Sequence, residues 1–160
     1  MKKIFVIIIL CFYSIAYSQQ IKPIKATSEL DDIIKDNKGN VILFNLWATW
    51  CKPCVEEFPD LIKLYNNYKD KNFTIVFISI DFKEEINTKL IPFLKQNNVN
   101  FVTYFDDFKN QEELINYFDR KWDGGIPSTY IFDKNGVEES KFLGIKDYSF
   151  YEREIQKYID

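Results

Sequence analysis

The sequence predicts an α/β fold in which helices cover both faces of a mixed central sheet. Two predominantly apolar runs, residues 41–46 and 73–80, have the composition of strands buried on both faces. Segments with apolar residues at helical spacing lie between and after these runs. Near the C-terminus, Asn135-Gly136 is a dipeptide that favours a tight turn between two strands of a hairpin. Strands that alternate with helices and end in a hairpin indicate a mixed sheet.

The individual elements follow from the same patterns in chain order. Helices are predicted over residues 28–37, 51–68, 84–96, 111–118 and 147–159. Strands are predicted over residues 41–46, 73–80, 100–105, 129–132 and 137–143. Thr27 or Ser28 is the expected N-cap of the first helix, and Pro53 suits the first turn of the second.

The N-terminus has the pattern of a signal peptide. Lys2 and Lys3 precede an apolar stretch over residues 4–13, and small residues stand at both positions that signal peptidase recognises before a cut after Ser18. Cleavage there would leave residues 19–160 as a single extracytoplasmic domain. An uncleaved membrane anchor is the alternative, although the apolar stretch is shorter than the roughly 20 residues that span a bilayer.

Charge and composition argue against several classes of function. The formal net charge is −3 without a basic cluster, which argues against nucleic-acid binding. The chain contains no histidine, and zinc usually needs four nitrogen or sulfur ligands, so we expect neither a metal nor another cofactor. No apolar interface stripe is evident, and a monomer is the default expectation.

The reactive chemistry is expected at Cys51-Lys52-Pro53-Cys54. A bridge between cysteines this close constrains little of the unfolded chain, so the pair is better suited to redox cycling than to stabilisation. Cys51 would lie where the helix begins, and there free N–H groups, the helix dipole and the charge of Lys52 favour its thiolate. Cys54, one turn inside, would be more buried and better protonated. We therefore expect Cys51 to attack a disulfide and Cys54 to resolve the mixed disulfide.

Residues 44–59 (FNLWATWCKPCVEEFP) resemble the active-site segment of thioredoxin-fold proteins, and most closely that of exported TlpA/ResA-type thiol–disulfide oxidoreductases. A second matching element is the segment GIPST at residues 125–129. The resemblance covers about residues 25–160 and implies a thioredoxin fold. Residues 81–126 are longer than their counterpart in plain thioredoxin and match the extra central helix–strand insert of the exported subgroup.

The resemblance also implies which residues contact a client protein. Pro127 would follow a cis peptide bond and face the disulfide, and Ile126 would offer backbone groups to an extended client segment. Trp50 would lie on the surface beside the disulfide as a docking face, with Lys52 next to it. Trp47 is expected in the core.

One acidic residue is singled out by the same resemblance. Plain thioredoxins have a buried Asp six residues before the first cysteine, and here Asn45, which cannot accept a proton, stands there. The TlpA/ResA-type proteins place a Glu three residues after the second cysteine, where this chain has Glu57, on the same helix face as Cys54. The hypothesis is that Glu57 tunes or shuttles protons for the cysteines, with a raised pKa if it is buried. The alternative is a solvated acid, as expected for Glu56.

The function implied is that of an extracytoplasmic thiol–disulfide oxidoreductase that mainly reduces exported proteins. Apocytochromes c are implied as clients, and a membrane thiol-shuttling protein as the electron donor. The Lys52-Pro53 pair lacks the histidine found in strongly oxidising members. A disulfide oxidase or isomerase and a binding module without turnover are the alternatives. A peroxidase is disfavoured because it needs a Thr- and Arg-lined pocket, and the only arginines are Arg120 and Arg153.

Overall fold

The computed structural model describes residues 20–159, so the predicted signal peptide and its cleavage site at Ser18 lie outside the described residues. The strands within this range are β1 (Ile21–Ile24), β2 (Val41–Trp47), β3 (Phe73–Ser79), β4 (Thr103–Asp106), β5 (Ser128–Phe132) and β6 (Glu138–Leu143). The α-helices are α1 (Thr27–Asp36), α2 (Lys52–Tyr68), α3 (Ile91–Gln96), α4 (Gln111–Phe118) and α5 (Tyr148–Ile155). None of the helices in the described range has the length and apolar character that crossing a bilayer requires.

The strands form one mixed sheet in the order β1-β4-β3-β2-β5-β6, which confirms the predicted thioredoxin-like α/β fold. β1, β4, β3 and β2 are parallel to one another, whereas β5 is antiparallel to both of its neighbours, β2 and β6. Strand β2 is buried along its whole length, so its side chains alternate between two apolar cores. One core packs against α2, α3 and α5, and the other packs against α1 and α4.

The additional helix and strand predicted after β3 are present, and β4 lies between β1 and β3 in the sheet. The helix differs from the prediction because it begins with a 3₁₀ turn, Lys83–Glu85, and a π-helical turn, Ile86–Leu90, before α3. Pro92 lies in the first turn of α3 and has no N–H to donate, a position that an α-helix tolerates.

Three local features differ from the sequence-based expectation. β1 was not predicted, because it has only four residues and contains Pro23, which is tolerated on an edge strand. Helix α1 has Ala26 as its N-cap rather than Thr27 or Ser28, and the Lys25 amide donates to the Glu29 carboxylate instead. Helix α5 ends at Ile155, four residues earlier than predicted.

The topology brings the functional segments to one edge of the sheet. Trp47 at the end of β2 is paired with Ser79 at the end of β3. Because β5 is antiparallel to β2, Ser128 at its start pairs with Leu46 at the same edge. The loops after β2 and β3 and before β5 therefore meet there.

Candidate active site

Cys51 and Cys54 form a disulfide at the N-terminus of α2. Cys51 is the N-cap residue, and its Sγ accepts a hydrogen bond from the Cys54 amide at 3.3 Å. Unpaired N–H groups and the helix dipole at this position favour a thiolate on Cys51 once the bridge is reduced. Cys51 is 6% exposed and Cys54 only 1%. The more exposed cysteine is therefore also the one whose thiolate the helix N-terminus stabilises.

The peptide bond between Ile126 and Pro127 is cis and lies against the disulfide. The carbonyl oxygen of Ile126 is 3.7 Å from Cys51 Sγ. Trp122 Nε1 donates to the carbonyl of Gly125 at 2.7 Å, which holds the segment just before this peptide. The amide of Gly144 donates to the carbonyl of Pro127 at 2.8 Å, which holds it from the other side.

The surroundings of the disulfide are partly apolar and exposed. Trp50 is 51% exposed beside Cys51, whereas Trp47 is buried in the core, as predicted. The Lys52 side chain extends into solvent, and its Nζ lies 3.8 Å from Glu56 Oε1. This exposed ion pair contributes little energy and leaves Lys52 free to reorient.

Glu57 lies on α2 behind the cysteines and is only 1% exposed. Its Oε1 accepts a hydrogen bond from Asn45 Nδ2 at 3.0 Å, and its Oε2 accepts from the Tyr151 hydroxyl and the Lys146 amide at 3.1 Å each. Burial raises the pKa of the Glu57 carboxyl above its ordinary value, and these three donors and the Lys146 charge only partly oppose that rise. Glu57 is thus a buried acid and not the solvated one of the alternative interpretation.

Thr129 completes a closed ring of hydrogen bonds with Asn45, Glu57 and Tyr151. Its Oγ1 accepts from Asn45 Nδ2 at 3.1 Å and lies 3.1 Å from the Tyr151 hydroxyl. Within residues 20–159, Asn45 Oδ1 is buried without a hydrogen-bond partner, so the amide contributes only donors to the ring. The ring joins β2, α2, β5 and α5, and none of its four side chains is more than 1% exposed.

Asp81 organises the loop that leads to the disulfide. It follows β3 and is 3% exposed. Its carboxylate accepts hydrogen bonds from the Thr49 amide at 3.0 and 3.1 Å, from the Thr49 hydroxyl, and from the Ser79 hydroxyl at 2.6 Å. These bonds fix the backbone two residues before Cys51.

The structure thus brings together Cys51, Cys54, Ile126 and Pro127, with Trp50 at their edge. The exposed Lys52 side chain lies next to Glu56. Among residues 20–159, no three side chains of the types that ligate metals lie together.

Sequence analysis did not single out Tyr151, Thr129 or Asp81 as site residues. Thr129 lies in the GIPST segment, but the sequence of that segment gives no indication that Thr129 contacts an acid. Asp81 stands at the carboxyl end of a buried parallel strand, the position where α/β sheets place functional groups, and that was the available signal. The sequence carries no signal for Tyr151, because its partners Glu57 and Thr129 are distant in the sequence.

Comparison with known proteins identifies the family. Residues 18–138 match the AhpC/TSA family over most of the chain. The chain belongs to this family. Within it, a thiol-disulfide oxidoreductase ResA of Bacillus cereus is 32% identical over 124 residues, or 78% of this chain and 66% of that protein. The chain spans 59–66% of the length of the ResA relatives it matches first.

Solved structures of thiol–disulfide proteins share this fold. A thiol:disulfide interchange protein of the thioredoxin family from Chlorobium tepidum TLS superposes with a TM-score of 0.65 at 24% identity, covering 78% of this chain and 83% of that chain. A DsbF homologue from Corynebacterium diphtheriae superposes with a TM-score of 0.64 at 25% identity, covering 78% and 75%.

Proposed function

We propose that this protein is an extracytoplasmic thiol–disulfide oxidoreductase that reduces the disulfides of exported proteins. The observation that carries the proposal is the Cys51–Cys54 pair at the N-terminus of α2, with the Ile126 carbonyl 3.7 Å from Cys51 Sγ. The ResA relatives support the same reaction class. The signal-peptide pattern in residues 1–18, which would leave residues 19–160 as the working domain, supports export.

The proposed reaction begins from the reduced dithiol. The Cys51 thiolate attacks one sulfur of a client disulfide, which forms a Cys51–client mixed disulfide and releases the other client sulfur as a thiolate that takes up a proton. Cys54 then loses its proton and attacks Cys51 Sγ, which releases the second client thiol and closes the Cys51–Cys54 disulfide. The client gains two electrons and the protein loses two, so a thiol donor must reduce the protein again. A membrane thiol-shuttling protein is the proposed donor.

The client is proposed to bind as an extended segment across the cis peptide. Ile126 and Pro127 lie at the disulfide, and the backbone groups of Ile126 are proposed to pair with another extended chain. Trp50 offers an exposed aromatic face next to Cys51. Lys52, exposed and flexible, would contact the rim of the client. Apocytochromes c are the proposed clients.

Glu57 is proposed to hold or deliver the proton that Cys54 exchanges during resolution. It lies one turn from Cys54 on the same helix, and burial raises the pKa of its carboxyl above its ordinary value, which favours a protonated acid that can donate to the cysteine. The proposal requires that the pH dependence of thiol exchange changes in Glu57→Gln and not in the exposed neighbour variant Glu56→Gln.

The reduction potential of the Cys51–Cys54 pair tests the direction of the reaction. Titration against glutathione buffers is expected to give about −250 mV or lower, in the range of thioredoxin. A value near about −120 mV, in the range of DsbA, would instead make the protein a disulfide donor and support the oxidase or isomerase alternative.

Trapping separates turnover from simple binding. Cys54→Ser is expected to accumulate a mixed disulfide with an oxidised client, whereas Cys51→Ser is expected to form none. A binding module would retain its partner after alkylation of Cys51, and an oxidoreductase would lose all activity.

A further inference from the structure

The hydrogens in the ring around Glu57 can be assigned one by one. The two hydrogens of Asn45 Nδ2 are directed at Glu57 Oε1 and Thr129 Oγ1. The hydroxyl of Tyr151 has a single hydrogen, which it donates to Glu57 Oε2. Its oxygen is then free to accept the hydrogen of Thr129. This arrangement directs three donors, from Asn45, Tyr151 and the Lys146 amide, at an ionised Glu57.

A protonated Glu57 requires a different arrangement. A hydrogen on Glu57 Oε2 needs an acceptor, and the Tyr151 oxygen lies 3.1 Å away. The Tyr151 hydroxyl can then turn toward Thr129 Oγ1, also 3.1 Å away, without displacement of a heavy atom. Asn45 and the Lys146 amide direct only donors at the carboxyl, so neither can accept the hydrogen of a protonated Glu57.

We propose that Tyr151 is a positioning residue that sets the proton affinity of Glu57, because it donates to the carboxylate and accepts from the carboxylic acid. The inference rests on the proposed role of Glu57 in thiol exchange. It adds a residue from α5 to the group of residues around the cysteines.

The other titratable groups that face Glu57 leave this role to Tyr151. Cys54 lies on the same helix and is joined to Cys51 in the oxidised protein. Lys146 acts through its backbone amide and its charge, while its Nζ donates to the carbonyls of Leu143 and Gly144. Burial and the nearby Glu57 raise the pKa of Tyr151 far above its usual value, so the phenol keeps its proton throughout the working pH range.

The test is a direct titration of Glu57 in the reduced full chain. Glutamate labelled with ¹³C at the side-chain carboxyl reports each acid by NMR, and the Glu57 signal is the one absent from Glu57→Gln. A charge-assisted hydrogen bond is lost in Tyr151→Phe, so the midpoint of Glu57 should rise by about one pH unit. Thr129→Val removes the donor to Tyr151 and should give a smaller rise.

Tyr148→Phe is the matched control on the same helix. The Tyr148 hydroxyl donates to Glu152 and accepts from Asn67, away from Glu57, so this variant should leave the midpoint unchanged. An unchanged midpoint in both Tyr151→Phe and Thr129→Val would overturn the inference, and Thr129→Val decides it alone if Tyr151→Phe does not fold.

The same variants separate the inference from the proposed function. The pH profile of client-disulfide reduction should move with the Glu57 midpoint in Tyr151→Phe. A midpoint that moves while wild type and Glu57→Gln share one exchange profile would support the role of Tyr151 and refute that of Glu57 in exchange.

Discussion

Two buried acids lie near the disulfide, and they are bound in different ways. Asp81 is 3% exposed and accepts its side-chain hydrogen bonds from Thr49 and Ser79, which belong to the loop and strand beside it. Glu57 is 1% exposed and accepts from Asn45, Tyr151 and the Lys146 amide, which come from separate parts of the chain. Burial alone therefore does not distinguish an acid that holds the structure from one that exchanges a proton.

The difference lies in what the donors can do. Three of the four contacts to Asp81 come from Thr49, so this acid fixes a backbone position next to the cysteines. The Tyr151 hydroxyl beside Glu57 can reverse its hydrogen bond, so that site can accommodate both a charged and a neutral acid. Asp81 is suited to hold geometry, whereas the contacts of Glu57 suit the proton exchange proposed for it.

The largest expected effect is the loss of stability in Asp81→Ala. This change leaves the partly buried Thr49 amide and the buried Ser79 hydroxyl without their acceptor, and should lower the free energy of unfolding by about 3 kcal/mol. Urea denaturation at pH 7 measures it. Asp107→Ala is the control, because Asp107 forms surface ion pairs with Lys25 and Lys83 and should change stability by less than about 1 kcal/mol. Equal losses in the two variants would contradict the role of Asp81.

A smaller effect is expected from Asn45→Asp, which places a second carboxyl beside Glu57. The two acids would lie about as close as the present 3.0 Å contact and would share one proton, which raises the pKa of the pair. A raised pKa in the folded state makes stability fall as pH rises, and we expect a loss of about 2 kcal/mol at pH 7. The exposed variant Asn66→Asp should show no such pH-dependent loss. A pH-independent difference from wild type would refute the shared proton.

The fold was predictable where local pattern decides structure. The apolar runs at β2 and β3 and the periodicity of α2 and α4 gave elements within a few residues of those observed. Strand β1 was missed because its pairing with β4, some 80 residues away, decides its structure, and a four-residue segment with Pro23 carries no local signal. The position of the π-helical turn before α3 was not predictable from composition either.

The same distinction applies to the site. The cysteine pair was recognised from its spacing, and Glu57 from the resemblance to TlpA/ResA-type proteins. Helix geometry then places Glu57 on the same face as Cys54. Tyr151 and Asp81 reach their partners only through the tertiary fold, over 94 and 32 positions in sequence. A single sequence does not show which residues so far apart come into contact.

The smallest expected effect is the pH dependence of stability in Glu57→Gln. It tests most directly whether Glu57 differs from Asp81. Because the pKa of Glu57 is raised in the folded state, this side chain holds its proton in the native protein, and loses it in the unfolded chain, between about pH 4.5 and the folded-state pKa. Wild-type stability should therefore fall, relative to Glu57→Gln, as pH rises from 4.5 through the folded-state pKa. The relative change amounts to about 1.4 kcal/mol for each unit by which the pKa is raised. Urea denaturation from pH 4 to 8 measures it, with Glu56→Gln as the control. A constant difference between wild type and Glu57→Gln over that range would mean that Glu57, like Asp81, serves only to hold the structure.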